Sequence, residues 1–143
     1  MAREDVLVIG AGPSGINAAY HLEKLGITYK VIDRASVIAS TWHGLYPSLT
    51  LNTSRFFSHM PGKRFPLSWG IYPSGREYYQ HVEEFVAEHD FNIHLGIEVI
   101  SVSPKGDMWR VETDQGVDYY PAVISATGVF GNPIFPAIPG MKD

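Results

Sequence analysis

The sequence contains no cysteine among its 143 residues. This absence excludes a disulfide framework, a thiolate metal site and a redox-active cysteine pair within the chain. The six histidines offer no substitute, because only His81 and His89 share a predicted helix, and they are eight residues apart. Zinc sites bring several such side chains together. We therefore predict no metal site.

Neither sign of charge is in large excess. The chain has 11 Lys and Arg against 15 Asp and Glu, a formal net charge of −4. The few basic residues are scattered, so the sequence does not predict nucleic acid or an anionic membrane surface as a partner.

Long hydrophobic runs are also lacking. The first apolar run, Val6–Ile9, has only four residues, too few for the core of a signal peptide or for a membrane span. We therefore expect a cytoplasmic protein. With 45% hydrophobic and 18% charged residues, the composition is that of one globular domain.

The apolar run leads directly into Gly10-Ala11-Gly12-Pro13-Ser14-Gly15 and then into a segment with helical periodicity. In a dinucleotide-binding turn, the first glycine makes the tight turn, the second lets the backbone approach a pyrophosphate, and the third lets the helix pack closely on the strand. The N–H groups at the start of the helix face the anion. A second apolar strand ends at Asp33, an acid suited to a ribose 2′-hydroxyl. This stretch predicts a dinucleotide site that fits FAD or NAD equally.

Hydrophobic spacing predicts two helices. The first begins near Pro13 or Ser14 and stops at Gly26, with its apolar face toward the sheet; that face consists of Ile16, Ala19, Tyr20 and Leu22. Residues 34–73 lack periodicity, and a connection of that length is usually functional. Ser74 and Glu77 form a capping box at the start of a second helix over 75–89.

The remaining chain predicts short strands over Ile93–Leu95, Val99–Val102, Met108–Thr113, Asp118–Tyr120 and Ala122–Ala126. Turns over 104–107 and 114–116 make an antiparallel meander. Its middle strand places Trp109, Val111 and Thr113 on the packed face, and Arg110 and Glu112 on the wet face. The predicted fold class is therefore α/β, a Rossmann-like parallel sheet with a small three-stranded antiparallel meander, incomplete at the C-terminus.

Three further segments make the chain resemble the FAD-dependent oxidoreductases with two dinucleotide-binding domains, and among them the single-component flavin monooxygenases. Ser40-Thr41-Trp42 stands where that family usually has Gly-Gly-x-Trp, with Ala39 and Ser40 replacing the glycines. Four short motifs resemble the flavin-containing N- and S-oxygenases in their order along the chain: Tyr46-Pro47, Leu51-Asn52-Thr53-Ser54-Arg55, Met60-Pro61 and Phe65-Pro66. In this family a segment like Ala126-Thr127-Gly128 returns the chain to the side of the FAD pyrophosphate. The likeness to the monooxygenases continues with Phe130, Asn132-Pro133, Pro136 and Ile138-Pro139-Gly140.

The resemblance implies roles for these residues. Asn52 is the implied catalytic residue, which lies beside the reactive flavin edge, helps to hold the oxygenated flavin and positions nicotinamide. Arg34 is implied beside the adenine ribose or its phosphates, and the backbone of Val99 beside adenine. The implied FAD-binding set is Gly10, Gly12, Pro13, Ser14, Gly15, Asp33, Arg34, Thr41, Trp42, Val99, Ala126, Thr127 and Gly128.

The activity implied by the resemblance is an NADPH-dependent monooxygenation. Hydride passes from NADPH to FAD, O2 adds at C4a to give a (hydro)peroxyflavin, and one oxygen atom is delivered to a small nitrogen, sulfur or carbonyl substrate. The resemblance covers essentially all of residues 1–143 but less than half of a typical member. The F-x-G-x-x-x-H signature, the NADPH-binding domain and the C-terminal completion of the FAD domain are missing. We therefore expect a fragment that holds FAD and is inactive alone.

Other interpretations stay open. A disulfide reductase shares the glycine turn and the Ala-Thr-Gly strand but needs a cysteine pair, whereas a flavin dehydrogenase or reductase without a redox disulfide does not. The isolated chain is also compatible with a non-catalytic FAD-binding module. A simple dehydrogenase would bind NAD directly, because Asp33 suits NAD and repels the 2′-phosphate of NADP. Nothing in the sequence indicates the substrate or the oligomeric state.

Overall fold

The computed structural model describes residues 4–131, 134 and 136–139. In chain order, the first half comprises β1 (Val6–Ile9), α1 (Pro13–Lys24), β2 (Tyr29–Asp33), α2 (Ser40–His43), α3 (Arg55–Ser58), a 3₁₀ turn (Leu67–Trp69) and α4 (Gly75–Ala87). The second half comprises β3 (Ile93–Leu95), β4 (Val99–Lys105), β5 (Met108–Thr113), β6 (Gly116–Tyr120) and β7 (Ala122–Ser125). The predicted α/β class is confirmed.

The strands form two sheets. The parallel sheet has the order β3-β2-β1-β7, and the antiparallel meander has the order β4-β5-β6. The central strand β1 is paired on both sides, with Val8 between Val31 and Ile124. Because all four carboxyl ends of parallel strands lie at one edge, the glycine turn after β1, Asp33 and the end of β7 meet there.

The core lies on both faces of the parallel sheet. On one face, Val8 and Val31 pack against Ala19 and Leu22 of α1. On the other face, Leu7 and Ile32 pack against the meander through Val111 and Tyr120. Successive side chains of β1 therefore pack into two separate apolar layers, as expected for a strand that is buried on both faces.

The capping box is present as predicted. The Ser74 hydroxyl accepts a hydrogen bond from the Glu77 N–H, and the Glu77 carboxylate accepts one from the Ser74 N–H. The helix ends at Ala87 rather than at residue 89. His89 lies just beyond, where its Nδ1 is 2.7 Å from the Phe85 carbonyl oxygen and its ring stacks on Phe91.

Three sequence predictions need correction. Tyr20 faces α4 instead of the sheet, with its ring 5.6 Å from those of Phe85 and His89. The predicted strand over Ile93–Leu95 is confirmed, and it pairs with β2 in the parallel sheet. Strand β4 continues through Pro104 to Lys105, because it is an edge strand, where a missing N–H is tolerated.

The third correction concerns β5. Val111 is buried as predicted, but Trp109 is 40% exposed. Arg110 and Glu112, predicted on the wet face, are only half-exposed and form a 2.8 Å ion pair with each other. The pairing holds the pKa of the Glu112 carboxyl below its usual value, since the Arg110 guanidinium donates to it. The two faces of β5 therefore differ less in solvent exposure than the alternation of apolar and charged residues predicts.

In the part of the chain that the structure describes, no helix has the length and apolar character needed to cross a membrane.

Candidate functional site

The glycine turn is held against the end of β7. Gly10 adopts φ +110°, and a Cβ there would lie 2.3 Å from the carbonyl oxygen of Ala126. A Cβ on Gly15 would lie 1.8 Å from the carbonyl oxygen of Gly10. Both distances are far below van der Waals contact, so the first and third glycines are required by packing. The close approach of helix and strand is as predicted.

Gly12 differs from its two neighbours in the motif. Its φ of −79° is open to any residue, and a Cβ there would meet nothing within 4 Å among the described atoms. Gly12 is the N-cap of α1, and no side chain of the described residues caps that helix. First-turn N–H groups without a cap carry partial positive charge and suit an anion. Space and charge at this point therefore fit a pyrophosphate.

Asp33 connects β2 to this turn. One carboxylate oxygen accepts a 2.7 Å hydrogen bond from the Ala11 N–H, and the other accepts a 2.8 Å bond from the Ala35 N–H. An ionised carboxylate has about four lone-pair positions, so these two bonds leave acceptor capacity for a ribose hydroxyl.

Ala39 occupies one of the positions where the resemblance expects glycine. It is buried and takes φ +45°, in the left-handed region, at a cost of about 1–2 kcal/mol for a residue with a Cβ. Its N–H donates to the Ala11 carbonyl oxygen at 2.9 Å. The backbone thus keeps the conformation that a glycine would adopt, and α2, with Thr41 and Trp42, starts beside the glycine turn.

An open cleft of about 670 Å³ runs from the start of α1 to the loop that follows α2. None of the described side chains that line it is an aspartate, glutamate, lysine or arginine. The cleft is therefore neutral, with hydroxyl, amide and aromatic groups. Its lining consists of Pro13, Ser14, Asn17, Trp42, Leu51, Asn52, Thr53, Phe57, Ser58, His59, Met60 and Tyr78.

This cleft brings together Pro13, Ser14, Trp42 and Asn52, four of the predicted site residues. Asn52 is exposed, but the residue before it is buried and anchored, because the Leu51 N–H donates to the Pro73 carbonyl oxygen at 2.8 Å. Thr41 is exposed and is not part of the cleft lining among the described residues.

Tyr78 forms the wall behind Trp42. The two ring centres are 4.3 Å apart at an interplanar angle of 58°. Burial raises the pKa of the Tyr78 hydroxyl, so this wall stays uncharged at neutral pH. Tyr78 is buried in the core as well as lining the cleft.

The region from residue 60 to residue 63 is fastened to α4. The Met60 N–H donates to Nε2 of the buried His81 at 3.1 Å, and the Lys63 ammonium pairs with Glu84 at 3.4 Å and with Glu88. Burial lowers the pKa of His81 to about 4, with a further contribution from the charge of Lys63. The hydrogen bond that the Lys63 ammonium donates to the Glu88 carboxylate raises the pKa of Lys63.

Arg55 organises the adjoining loop. Its guanidinium donates to the carbonyl oxygens of Phe65, Leu67 and Gly70 at 2.6, 3.1 and 3.1 Å, and its backbone N–H donates to Ile71 at 2.8 Å. Sequence reasoning did not assign this role, because the targets are backbone atoms that leave no residue pattern.

The remaining predicted residues lie around Asp33 and the turn rather than in the cleft. Arg34 is exposed and 4.0 Å from Glu98. Val99 begins β4 and is partly buried against the core cluster of Leu7, Ile32, Val111 and Tyr120. The Ala126 N–H donates to the Ile9 carbonyl oxygen at 2.8 Å, and Thr127 and Gly128 follow at the surface. Asn132, Pro133 and Gly140 lie outside the described residues.

No group of three or more His, Asp or Glu side chains that could hold a metal ion occurs within the described ranges. Ser14, at the start of α1, is exposed and lies among neutral groups of the cleft.

Comparison with known proteins identifies the family. A family model described as pyridine nucleotide-disulphide oxidoreductase matches residues 7–143. A probable indole-3-pyruvate monooxygenase, YUCCA4 of Arabidopsis thaliana, is 32% identical over 141 residues, which cover 95% of this chain and 34% of that protein. The chain thus spans about a third of this curated relative.

Solved structures agree with this fold. A flavin-containing monooxygenase from Stenotrophomonas maltophilia superposes with a TM-score of 0.85 at 33% identity, over 95% of this chain and 42% of that chain. A bacillithiol disulfide reductase from Bacillus cereus gives a TM-score of 0.84 at 26% identity, over 97% and 44%. The chain belongs to the pyridine nucleotide-disulphide oxidoreductase family, and within it the chain matches part of the flavin monooxygenases.

Proposed function

We propose that this chain is the FAD-binding portion of an NADPH-dependent flavoprotein monooxygenase, which inserts one oxygen atom from O2 into a small nitrogen, sulfur or carbonyl substrate. The observation that carries the proposal is the continuity of one neutral cleft from the start of α1 to Trp42 and Asn52. An elongated cofactor with an anionic middle and an uncharged ring fits that arrangement.

The phosphate end of the site is formed by the turn. The uncapped first turn of α1 and the open space beside Gly12 hold the pyrophosphate. Asp33 accepts from a ribose hydroxyl while the Ala11 and Ala35 N–H groups fix its orientation. Arg34 follows Asp33 directly in the chain, and Val99 follows Ile97, whose N–H donates to the Asp33 carbonyl oxygen at 2.9 Å.

The ring end of the site lies against Trp42. Bound FAD supplies the electron transfer and the reaction with O2. Trp42, Tyr78, Leu51 and Met60 provide an apolar wall that keeps water away from the reacting edge. The Asn52 carboxamide at the open side donates and accepts hydrogen bonds without adding charge.

Cofactor uptake is the first test. The purified chain is incubated with FAD, freed of excess ligand and examined by its visible absorption spectrum. Retention of about one FAD per chain supports the proposal, whereas binding of NADH with no uptake of FAD would support a simple dehydrogenase site and contradict it.

A flavin reductase without a redox disulfide is the second candidate. It is favoured by the bacillithiol disulfide reductase likeness, together with the absence of cysteine in this sequence. The protein extended to the length of its relatives separates the two candidates. With NADPH and O2, one oxygenated product per NADPH indicates a monooxygenase, while turnover with an added electron acceptor and no oxygenated product indicates a reductase. The chain of residues 1–143 is expected to show no reduction by NADPH.

A further inference from the structure

Asn17 lies in the cleft with its carboxamide held in one orientation. The side-chain nitrogen donates to the Pro13 carbonyl oxygen at 2.8 Å and lies 3.7 Å from the Met60 sulfur. The Asn17 side chain is half-buried, and it faces the cleft between the start of α1 and the wall that carries Met60. Two protein contacts on the nitrogen distinguish the two ends of an amide that is otherwise ambiguous.

The carbonyl oxygen of Asn17 is then the polar atom left for a ligand. Among the hydrogen bonds of the described residues, none is made to this oxygen. A primary amide oxygen has two lone pairs, and it accepts from N–H or O–H groups only. The cleft therefore presents a fixed neutral acceptor to a donor on the bound molecule.

The position of Asn17 along α1 identifies which part of the cofactor meets it. Four residues separate it from Pro13, a rise of about 6 Å along the helix axis. Asn17 thus lies beyond the first turn, and it lines the same cleft as Trp42 and Asn52. Between the pyrophosphate and the ring, FAD has a sugar-alcohol chain with free hydroxyls, which are hydrogen-bond donors.

We propose that the carbonyl oxygen of Asn17 accepts a hydrogen bond from a hydroxyl of the flavin's sugar-alcohol chain, and so sets how far the ring reaches toward Asn52. This inference rests on the proposed function, since it requires FAD in the cleft. It makes Asn17 a cofactor-binding residue that acts between the phosphate site and the ring site.

The test compares FAD with ADP, because ADP has the phosphates and adenosine but lacks the sugar-alcohol chain and the ring. Dissociation constants are measured by calorimetry for the wild-type chain, for Asn17→Ala and for Gln80→Ala. Gln80 is a matched amide on the exposed side of α4, where it donates to Glu84. We expect Asn17→Ala to weaken FAD about three- to tenfold, as one neutral hydrogen bond would, and to leave ADP unchanged.

FAD analogues that each lack one hydroxyl of the sugar-alcohol chain identify the hydroxyl that donates. Their affinities are measured first with the wild-type chain and then with Asn17→Ala. For one analogue, the wild-type affinity should fall by the same factor, and the penalty of Asn17→Ala should disappear. A penalty that persists for every analogue, or an equal loss of FAD and ADP affinity, would overturn the inference and show that Asn17 only supports α1.

The two levels of the proposal fail differently. A wild-type chain that binds ADP but not FAD contradicts the proposed function and this inference together. A wild-type chain that binds FAD with the same affinity as Asn17→Ala contradicts the inference alone.

Discussion

The Asp33 carboxylate and the Ala11 backbone N–H are joined by a 2.7 Å hydrogen bond that ties the end of β2 to the glycine turn. The second oxygen of Asp33 is also an acceptor, from the Ala35 N–H. Both sides of this carboxylate thus face donors. The side-chain amide of an asparagine at this position would place its own NH2 group against one of these two backbone N–H groups.

Replacement Asp33→Asn is therefore expected to be nearly as harmful as Asp33→Ala. Hydrogen bonds to a charged group contribute about 1.5–3 kcal/mol each, so we expect the unfolding free energy to fall by about 1–3 kcal/mol and FAD to bind at least about tenfold more weakly. Urea unfolding and FAD titration measure the two effects. Asp107→Asn, in the exposed turn after β4, is the control. Wild-type values for Asp33→Asn would contradict the assigned role.

The three glycines of the turn should separate stability from binding. Gly12→Val is expected to fold with little change in melting temperature but to retain no FAD, because its side chain enters open space that the pyrophosphate requires. Gly15→Ala is expected to lower the melting temperature, since its Cβ would lie 1.8 Å from a carbonyl oxygen. Thermal unfolding and flavin content are compared for both variants. Normal flavin content in Gly12→Val would refute the pyrophosphate assignment.

His81 should make stability depend on pH. Its pKa is lowered to about 4 in the folded chain, from an ordinary value of 6.5. As pH falls, His81 is therefore protonated in the unfolded chain at a higher pH than in the folded chain. The stability that the neutral His81 contributes is complete above about pH 6.5 and is lost as pH falls toward 4. The difference corresponds to about 3 kcal/mol. Lys63, His59 and Glu84 face the same ring, and their charges modify the midpoint.

The measurement for His81 is urea unfolding at several values between pH 7.5 and 4.5. His81→Gln retains a side-chain oxygen for the Met60 N–H but does not titrate, so its stability should fall less over this interval than that of the wild type. His94→Gln, at an exposed position, should behave like the wild type. Parallel pH profiles for the wild type and His81→Gln would contradict this prediction.

Arg55 should be irreplaceable by lysine. Its guanidinium reaches three carbonyl oxygens at once, and an ammonium group lacks that planar fork. We expect Arg55→Lys and Arg55→Ala each to lower the unfolding free energy by about 1–2 kcal/mol, and to speed proteolytic cleavage within residues 65–71. Arg76→Ala, on the exposed side of α4, serves as the matched control. Equal cleavage rates in Arg55→Lys and the wild type would exclude the bracing role.

Local sequence rules predicted the parts of the fold that depend on neighbouring residues. The glycine turn, α1, the capping box of α4 and the meander follow from spacing within a few residues, and all four are present. A strand of three residues such as Ile93–Leu95 carries too little periodicity to reveal its sheet. The direction of Tyr20 likewise depends on aromatic rings of a helix far along the chain.

The cleft was predictable only in part for the same reason. Asn52 and Trp42 follow from a resemblance, and the structure brings them to one cleft with Pro13 and Ser14. The sequence does not show that Met60 and Tyr78 line this cleft, because Met60 reaches it through the packing of its loop on α4. The Met60 N–H donates to His81 of that helix. Ala39 is a different case, because a non-glycine residue in a left-handed conformation contradicts the local preference and is stabilised by its burial.

The contact between Gly10 and the Ala126 carbonyl oxygen also has a consequence for folding. These residues are far apart in the chain, so the glycine turn is packed against the Ala126 backbone only after β7 has paired with β1. Closing so long a loop is a slow step, because its entropy is lost before the new contacts form. During synthesis, a segment that ends before β7 would carry the full glycine motif without a rigid grip on phosphate. We therefore expect cofactor binding to be acquired late, when β7 is in place beside β1.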